Sequence, residues 1–317
     1  MKWKVLKFVS WVPVAAAFFL AGQAGAAGPE RHEYLVLSAP DVAVYFPAPL
    51  QRVAGEILDS YPWIRAEAEN VFGWDMNDPV IIVLVGRSSA FEMSAGSSSI
   101  VAYAVPVRNL IVIDYRKLQF HPFTLRSAVT HELLHLILHR HIRPGLLPRW
   151  FEEGVCQWAS DGLGEIIAGG GSLLDRAVSG GDLIPFRSLE RAFSADPAGM
   201  RLAYEQSKSF VTYLVGRHGR ESLVEILESM KAGFDFHQAV EAALGISAGR
   251  LEADWRSSLS RPVAWARVIS RNLYGLVFGL GAVLALVGFI RVTVKKRRAL
   301  REYDDDEELQ ADVSGLG

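Results

Sequence analysis

Cysteine is all but missing from this 317-residue chain: Cys156 stands alone. A single thiol permits neither a disulfide within the chain nor a zinc site built from cysteines. An excess of charge of one sign is missing too. Lys and Arg number 33 against 35 Asp and Glu, for a net charge of −2. Without a concentrated basic face, nucleic acid is not expected as a partner. Internal repeats are absent. What the chain does have is apolar content: 50% of its residues are hydrophobic and 21% charged. That composition argues against wholesale disorder and is high for a soluble protein, so the excess has to be located.

Two segments hold it. Lys2, Lys4 and Lys7 precede an apolar run from Phe8 to Ala21, and small residues follow in GQAGAAG. A charged start, a short apolar middle and an A-x-A-like end describe a secretory signal peptide over 1–27. Pro13 interrupts the run, which favours cleavage near Ala26 or Ala27 over an uncleaved anchor. The second segment, Leu273 to Ile290, is eighteen residues without a charge. At about 1.5 Å per residue it is near the lower limit for crossing a hydrocarbon core of roughly 30 Å. It predicts one transmembrane helix over 273–292, in preference to a buried core helix. Residues 293–317 begin with KKRR after Val294 and carry DDDEE, a solvated charged tail. With an exported N-terminus, the basic residues after the span place that tail in the cytoplasm. The expected arrangement is a single-pass protein of the cell membrane with its folded region, 28–266, on the extracytoplasmic side.

Within that region, 28–121 reads as mostly sheet. Tyr34–Leu37, Val42–Phe46, Val80–Val85, Ile100–Val105 and Leu110–Asp114 have strand length and composition, the last two joined by PVRN as a hairpin. VIIVLV at Val80 suits a strand buried on both faces. Ala48 to Phe72 has helical spacing, with Pro62 as an expected break. From 122 to 266 the pattern is mostly helical, and Gly162–Gly181 is expected to be a loop with one short helix inside. A sheet followed by helices defines the fold class as α+β.

The chemistry resides in His131, Glu132 and His135, an H-E-x-x-H inside a helical segment. Positions i and i+4 share a helical face, so both imidazoles can reach one ion. Glu132, about 100° round from His131, is placed to meet a water on that ion. This is what zinc hydrolysis requires: a metal that acidifies water and a carboxylate that takes the proton. A catalytic zinc has three protein ligands. His141 lies six residues past His135, but Leu138 stands where the longer H-E-x-x-H-x-x-G-x-x-H motif needs a glycine. Glu153 lies 18 positions past His135, beyond Pro144, Gly145 and Pro148, which let a second helix fold back. Glu153 is the favoured ligand; His141 and the adjacent Glu152 remain alternatives.

HELLH, LPRWFEEG and AYEQSKSFVTYLVGRHG together resemble the gluzincin metallopeptidases, specifically the peptidase MA-like group. Their pattern, H-E-x-x-H and then W-x-x-E-G about twenty residues on, is matched at His131, Glu132, His135, Trp150, Glu153 and Gly154. The resemblance extends over about Val80 to Leu259. It implies a thermolysin-like zincin, with a small mixed sheet, a helical subdomain and a cleft between them. It implies Zn2+ held by His131, His135 and Glu153, with Glu132 as general base and a peptide or protein as substrate. It also implies an aromatic donor to the developing oxyanion. Tyr204 is the candidate, with Tyr213 and His218 behind it. The G-A-M-E-N segment of the clan's aminopeptidases is lacking, so an endopeptidase is favoured. Two rival readings stay open. One is a weakly active or non-catalytic zinc-binding protein that serves as a membrane-tethered binding or assembly factor. The other is a metzincin-like peptidase using His141. Cys156 is expected to be a small buried hydrophobe, and His139 to lie behind the metal or on the surface.

Overall fold

The computed structural model describes residues 34–85, 101–118, 124–160, 173–193, 196–259, 278, 281–289 and 291–292. The expected leader (1–27) and charged tail (293–317) lie outside the described residues. The chain divides into two units, 1–257 and 258–317. In the second unit, only part of the expected span over 273–292 is described. Residues 281–289 are helical, with Val283, Leu284, Leu286 and Phe289 exposed. Among the described residues no helix is long and apolar enough to cross a membrane.

The first unit begins with a five-stranded sheet: β1 (Tyr34–Ala39), β2 (Val42–Pro47), β3 (Val80–Val85), β4 (Ala102–Val105) and β5 (Leu110–Asp114). Its order is β1-β2-β3-β5-β4. The β2–β3 and β3–β5 pairs are parallel; β1–β2 and β4–β5 are antiparallel. The sheet is therefore mixed, as expected. The unbroken apolar run of β3 follows from burial on both faces. Ile82 and Leu84 alternate with Val83 and Val85, and the latter pair packs with Leu110 and Val112 beside Tyr45 and Tyr103. The β4–β5 hairpin turns through Pro106–Arg108 and Asn109, whose φ of 47° is a left-handed conformation asparagine tolerates.

Helix α1 (Gln51–Phe72) connects β2 to β3 and runs through Pro62 without ending, against the break expected from sequence. Pro62 stands on the exposed side of the helix. The missing N–H costs the Leu58 carbonyl its helical partner, and the buried stripe from Val53 to Phe72 holds the helix in place despite that loss.

Helix α2 (Leu125–His141) is the centre of the unit. Thr124 caps it by accepting from the Ser127 N–H, and the Ser127 hydroxyl accepts in return from the Thr124 N–H. Most of its residues from Ala128 to Leu138 are buried. A turn through Pro144 and Gly145, at φ 86°, then reverses the chain into α3 (Arg149–Ala159). Helices α4 (Leu173–Gly180), α5 (Phe186–Ala192), α6 (Pro197–His218), α7 (Arg220–Lys231) and α8 (Phe236–Leu244) follow, and 248–259 are helical as well. Helix α4 is the short helix expected inside the glycine-rich stretch. Trp150, Phe186, Phe210 and Trp255 form the helical core. The Trp150 and Phe186 rings stack at 4.3 Å, and Phe186 and Trp255 at 5.6 Å. Trp150 and Trp255 are core residues as their sequence context suggests, whereas Trp158 is only partly covered.

Candidate metal centre

Helices α2 and α3 face each other, and α3 is pressed from behind by α6. Gly154 makes that approach possible. A β-carbon there would stand 2.5 Å from the Ser207 carbonyl oxygen and 2.9 Å from a Val211 methyl. The close contact holds Glu153, the preceding residue, over α2.

His131, His135 and Glu153 come together with one potential ligand atom each, all within 4.8 Å of one another. The two Nε2 atoms are 3.2 Å apart, and Glu153 Oε2 is 3.7 Å from that of His131 and 3.6 Å from that of His135. Ligands on a tetrahedral zinc with bonds of about 2.0–2.1 Å are about 3.3 Å apart, so the donor set fits such an ion.

The outer ring nitrogens are occupied in a way that turns the Nε2 lone pairs inward. Ser160 donates its hydroxyl to the Cys156 carbonyl at 2.7 Å, which leaves its oxygen to accept from His131 Nδ1 at 3.3 Å. His135 Nδ1 donates to Glu152 Oε1 at 2.5 Å. A ligand histidine whose second nitrogen donates to a fixed acceptor has its tautomer and ring plane set.

Burial shapes the carboxyl groups. It is the largest influence on Glu132 and raises its pKa. Glu153 raises it further, while His131, His135 and the Ala104 N–H oppose the rise. That N–H belongs to β4, which is an outer strand among the described residues. Glu153 is equally buried, yet hydrogen bonds to His131 and His135 hold it well below the usual carboxylate range. Burial also acts to raise Glu152, but His135 and then His139 outweigh it and hold this group at about 2.

The Tyr204 hydroxyl, on α6, donates to Glu153 Oε1 at 3.2 Å. It also accepts from Arg149, whose Nε lies 3.7 Å from the same carboxylate oxygen and whose guanidinium stacks 4.9 Å from the Phe193 ring centre. Burial, reinforced by the charge of Glu153, pushes the Tyr204 phenol upward.

The alternatives for the third ligand are separated. His141 points away: its Nε2 bonds the Asp75 carbonyl at 3.1 Å and its ring packs 5.0 Å from Trp74. Glu152 is turned to the back of His135 rather than to the ion position. That contact, together with Ser160 and Arg149, escaped the sequence reading. Only the i, i+4 and i, i+7 spacings along α3 hint at them. Cys156 is buried as expected, but it is not isolated, for its thiol bonds His135. Burial pushes that thiol up to about 12.

A family model described as the Peptidase MA superfamily matches residues 73–261. No curated protein sequence matches the chain. Among solved structures it is similar to an aminopeptidase A of Legionella pneumophila in complex with aspartic acid, at 13% identity and a TM-score of 0.39. It is also similar to native yeast LTA4 hydrolase, at 12% identity and a TM-score of 0.37. The matches cover 68% and 72% of this chain but only 26% and 38% of those two proteins.

Proposed function

Because the chain belongs to the Peptidase MA superfamily, we propose that it is a zinc-dependent peptidase that cleaves peptide or protein substrates outside the cytoplasm, tethered by a single span over 273–292. The observation that carries this reading is the convergence of His131 Nε2, His135 Nε2 and a Glu153 oxygen at ligand spacing.

When bound, zinc supplies a Lewis acid that polarises a substrate carbonyl and acidifies water. Glu132, buried and oriented by the Ala104 N–H, takes the proton from the attacking water and passes it to the departing amine. The single Tyr204 O–H, which donates to Glu153 here, turns to the substrate carbonyl oxygen as negative charge grows on it. The outward edge of β4, an outer strand among the described residues, is the element we assign to an extended substrate backbone. The lack of G-A-M-E-N leaves nothing of that kind to hold a free amino terminus, which supports an endopeptidase. The charged start and apolar run at 1–27 support export, and the exposed apolar residues at 281–289 support the tether.

Metal analysis of the purified full chain tests the centre. Wild type and His141→Ala should each carry one zinc, and Glu153→Ala should lose it on dialysis. A wild-type protein that takes up no zinc would overturn the reading, and a zinc-free His141→Ala beside a zinc-loaded Glu153→Ala would overturn the ligand assignment.

A further inference from the structure

Helix α2 presents three histidines at four-residue intervals, His131, His135 and His139, and only the first two face the ion position. The third meets Glu152. Glu152 Oε1 accepts from His135 Nδ1 at 2.5 Å and from His139 Nε2 at 2.9 Å, so one carboxylate oxygen serves two successive turns of the same helix. Glu152 is buried, while the His139 side chain is 35% exposed.

An exposed histidine–carboxylate pair contributes little, because water competes for both partners. Here the carboxylate is out of water and its accepting oxygen is also the one that orients a metal ligand. Glutamate has three side-chain torsions, and a bond to His135 alone fixes its oxygen from one side only. A donor from the next turn of α2 closes the other side. We propose that His139 is a positioning residue: by donating to Glu152 it fixes the oxygen that orients His135 toward the ion. The proposal rests on the zinc reading above.

The test is the zinc dissociation constant of the full-length chain, measured by chelator competition on wild type, Glu152→Ala, His139→Leu, the double variant and His139→Gln. Removing a partner of a ligand histidine weakens metal binding about 10- to 100-fold, which is expected for Glu152→Ala. His139→Leu should weaken it about tenfold, at the low end of that range. The double variant should bind no more weakly than Glu152→Ala alone, because His139 acts only through Glu152. His139→Gln keeps an N–H donor and should recover most of the affinity. Glu152→Leu, which fills the space without an acceptor, replaces Glu152→Ala if the alanine variant does not fold. Wild-type affinity in His139→Leu, or losses that add in the double variant, overturns the proposal while leaving the zinc centre intact. A wild-type chain without zinc overturns both.

Discussion

Gly154 and Ser207 are in backbone contact: the place where a β-carbon would go on Gly154 is 2.5 Å from the Ser207 carbonyl oxygen. A main-chain carbonyl in mid-helix cannot swing aside as a flexible side chain would, so α3 and α6 must part to admit even a methyl group. Gly154→Ala should therefore cost about 1–3 kcal/mol of stability, the range for overpacking. It should also weaken zinc binding, because Glu153 moves with α3. Thermal unfolding and chelator titration check the two effects, and an unchanged Tm would show that the helices yield more readily than the contact implies.

Glu132→Gln keeps the size of the side chain and its place beside the Ala104 N–H, but removes the proton acceptor. Peptide cleavage should fall about 100- to 10,000-fold, the range for general base catalysis, with zinc content unchanged. Cleavage at the wild-type rate would remove Glu132 from the reaction.

Tyr204→Phe deletes one hydroxyl and leaves the ring against Phe193, whose centre lies 4.9 Å away. If that hydroxyl meets developing charge, kcat should fall about 100-fold with KM little altered. A change confined to zinc affinity would assign Tyr204 to holding Glu153 alone.

Asp196 caps α6 by accepting from the Ala198 and Gly199 N–H groups at 2.8 and 3.0 Å, and these bonds lower its pKa. A carboxylate depressed in the folded state stabilises the protein above its unfolded pKa and loses that effect as pH falls through the folded value. Asp196→Asn retains a cap without the charge. Its Tm should lie slightly below that of wild type at neutral pH and approach it once the pH drops below about 4, the ordinary aspartate range. A gap that is constant across this interval would mean that the charge contributes nothing.

Cys156 should ignore iodoacetamide in the folded protein at neutral pH and react fully in denaturant. Its thiol is buried, and a pKa of about 12 leaves almost no thiolate. Rapid alkylation of the native chain would show that the α2–α3 interface opens.

The cluster of His131, His135 and Glu153 that could hold a metal was legible in sequence because it obeys local rules. His131 and His135 are one helical turn apart, and Glu153 is identified by the prolines and glycine that reverse the chain before it. The strands were readable for a similar reason, since VIIVLV and LIVID are too apolar for any surface. Glu152 was less legible. A position about 100° from Glu153 turns it away from the ion, and nothing in the sequence says that this direction leads to the back of His135. Arg149 and Tyr204 meet only because α6 returns across α3, a contact between residues more than fifty positions apart. Pro62 misled because a proline rule describes an isolated helix, whereas this one is held by the core beneath it.

All three candidate ligand atoms, and the two groups that contact the outer imidazole nitrogens, come from residues between His131 and Ser160. Among the described residues the sheet adds the Ala104 N–H beside Glu132. The ion-holding part is thus short-range in sequence, and loop-closure entropy penalises its assembly little. The role proposed for β4 and the Tyr204 contact from α6 depend on long-range closure. The two capabilities are separable in principle: damage to the remote elements should abolish turnover before it abolishes metal uptake.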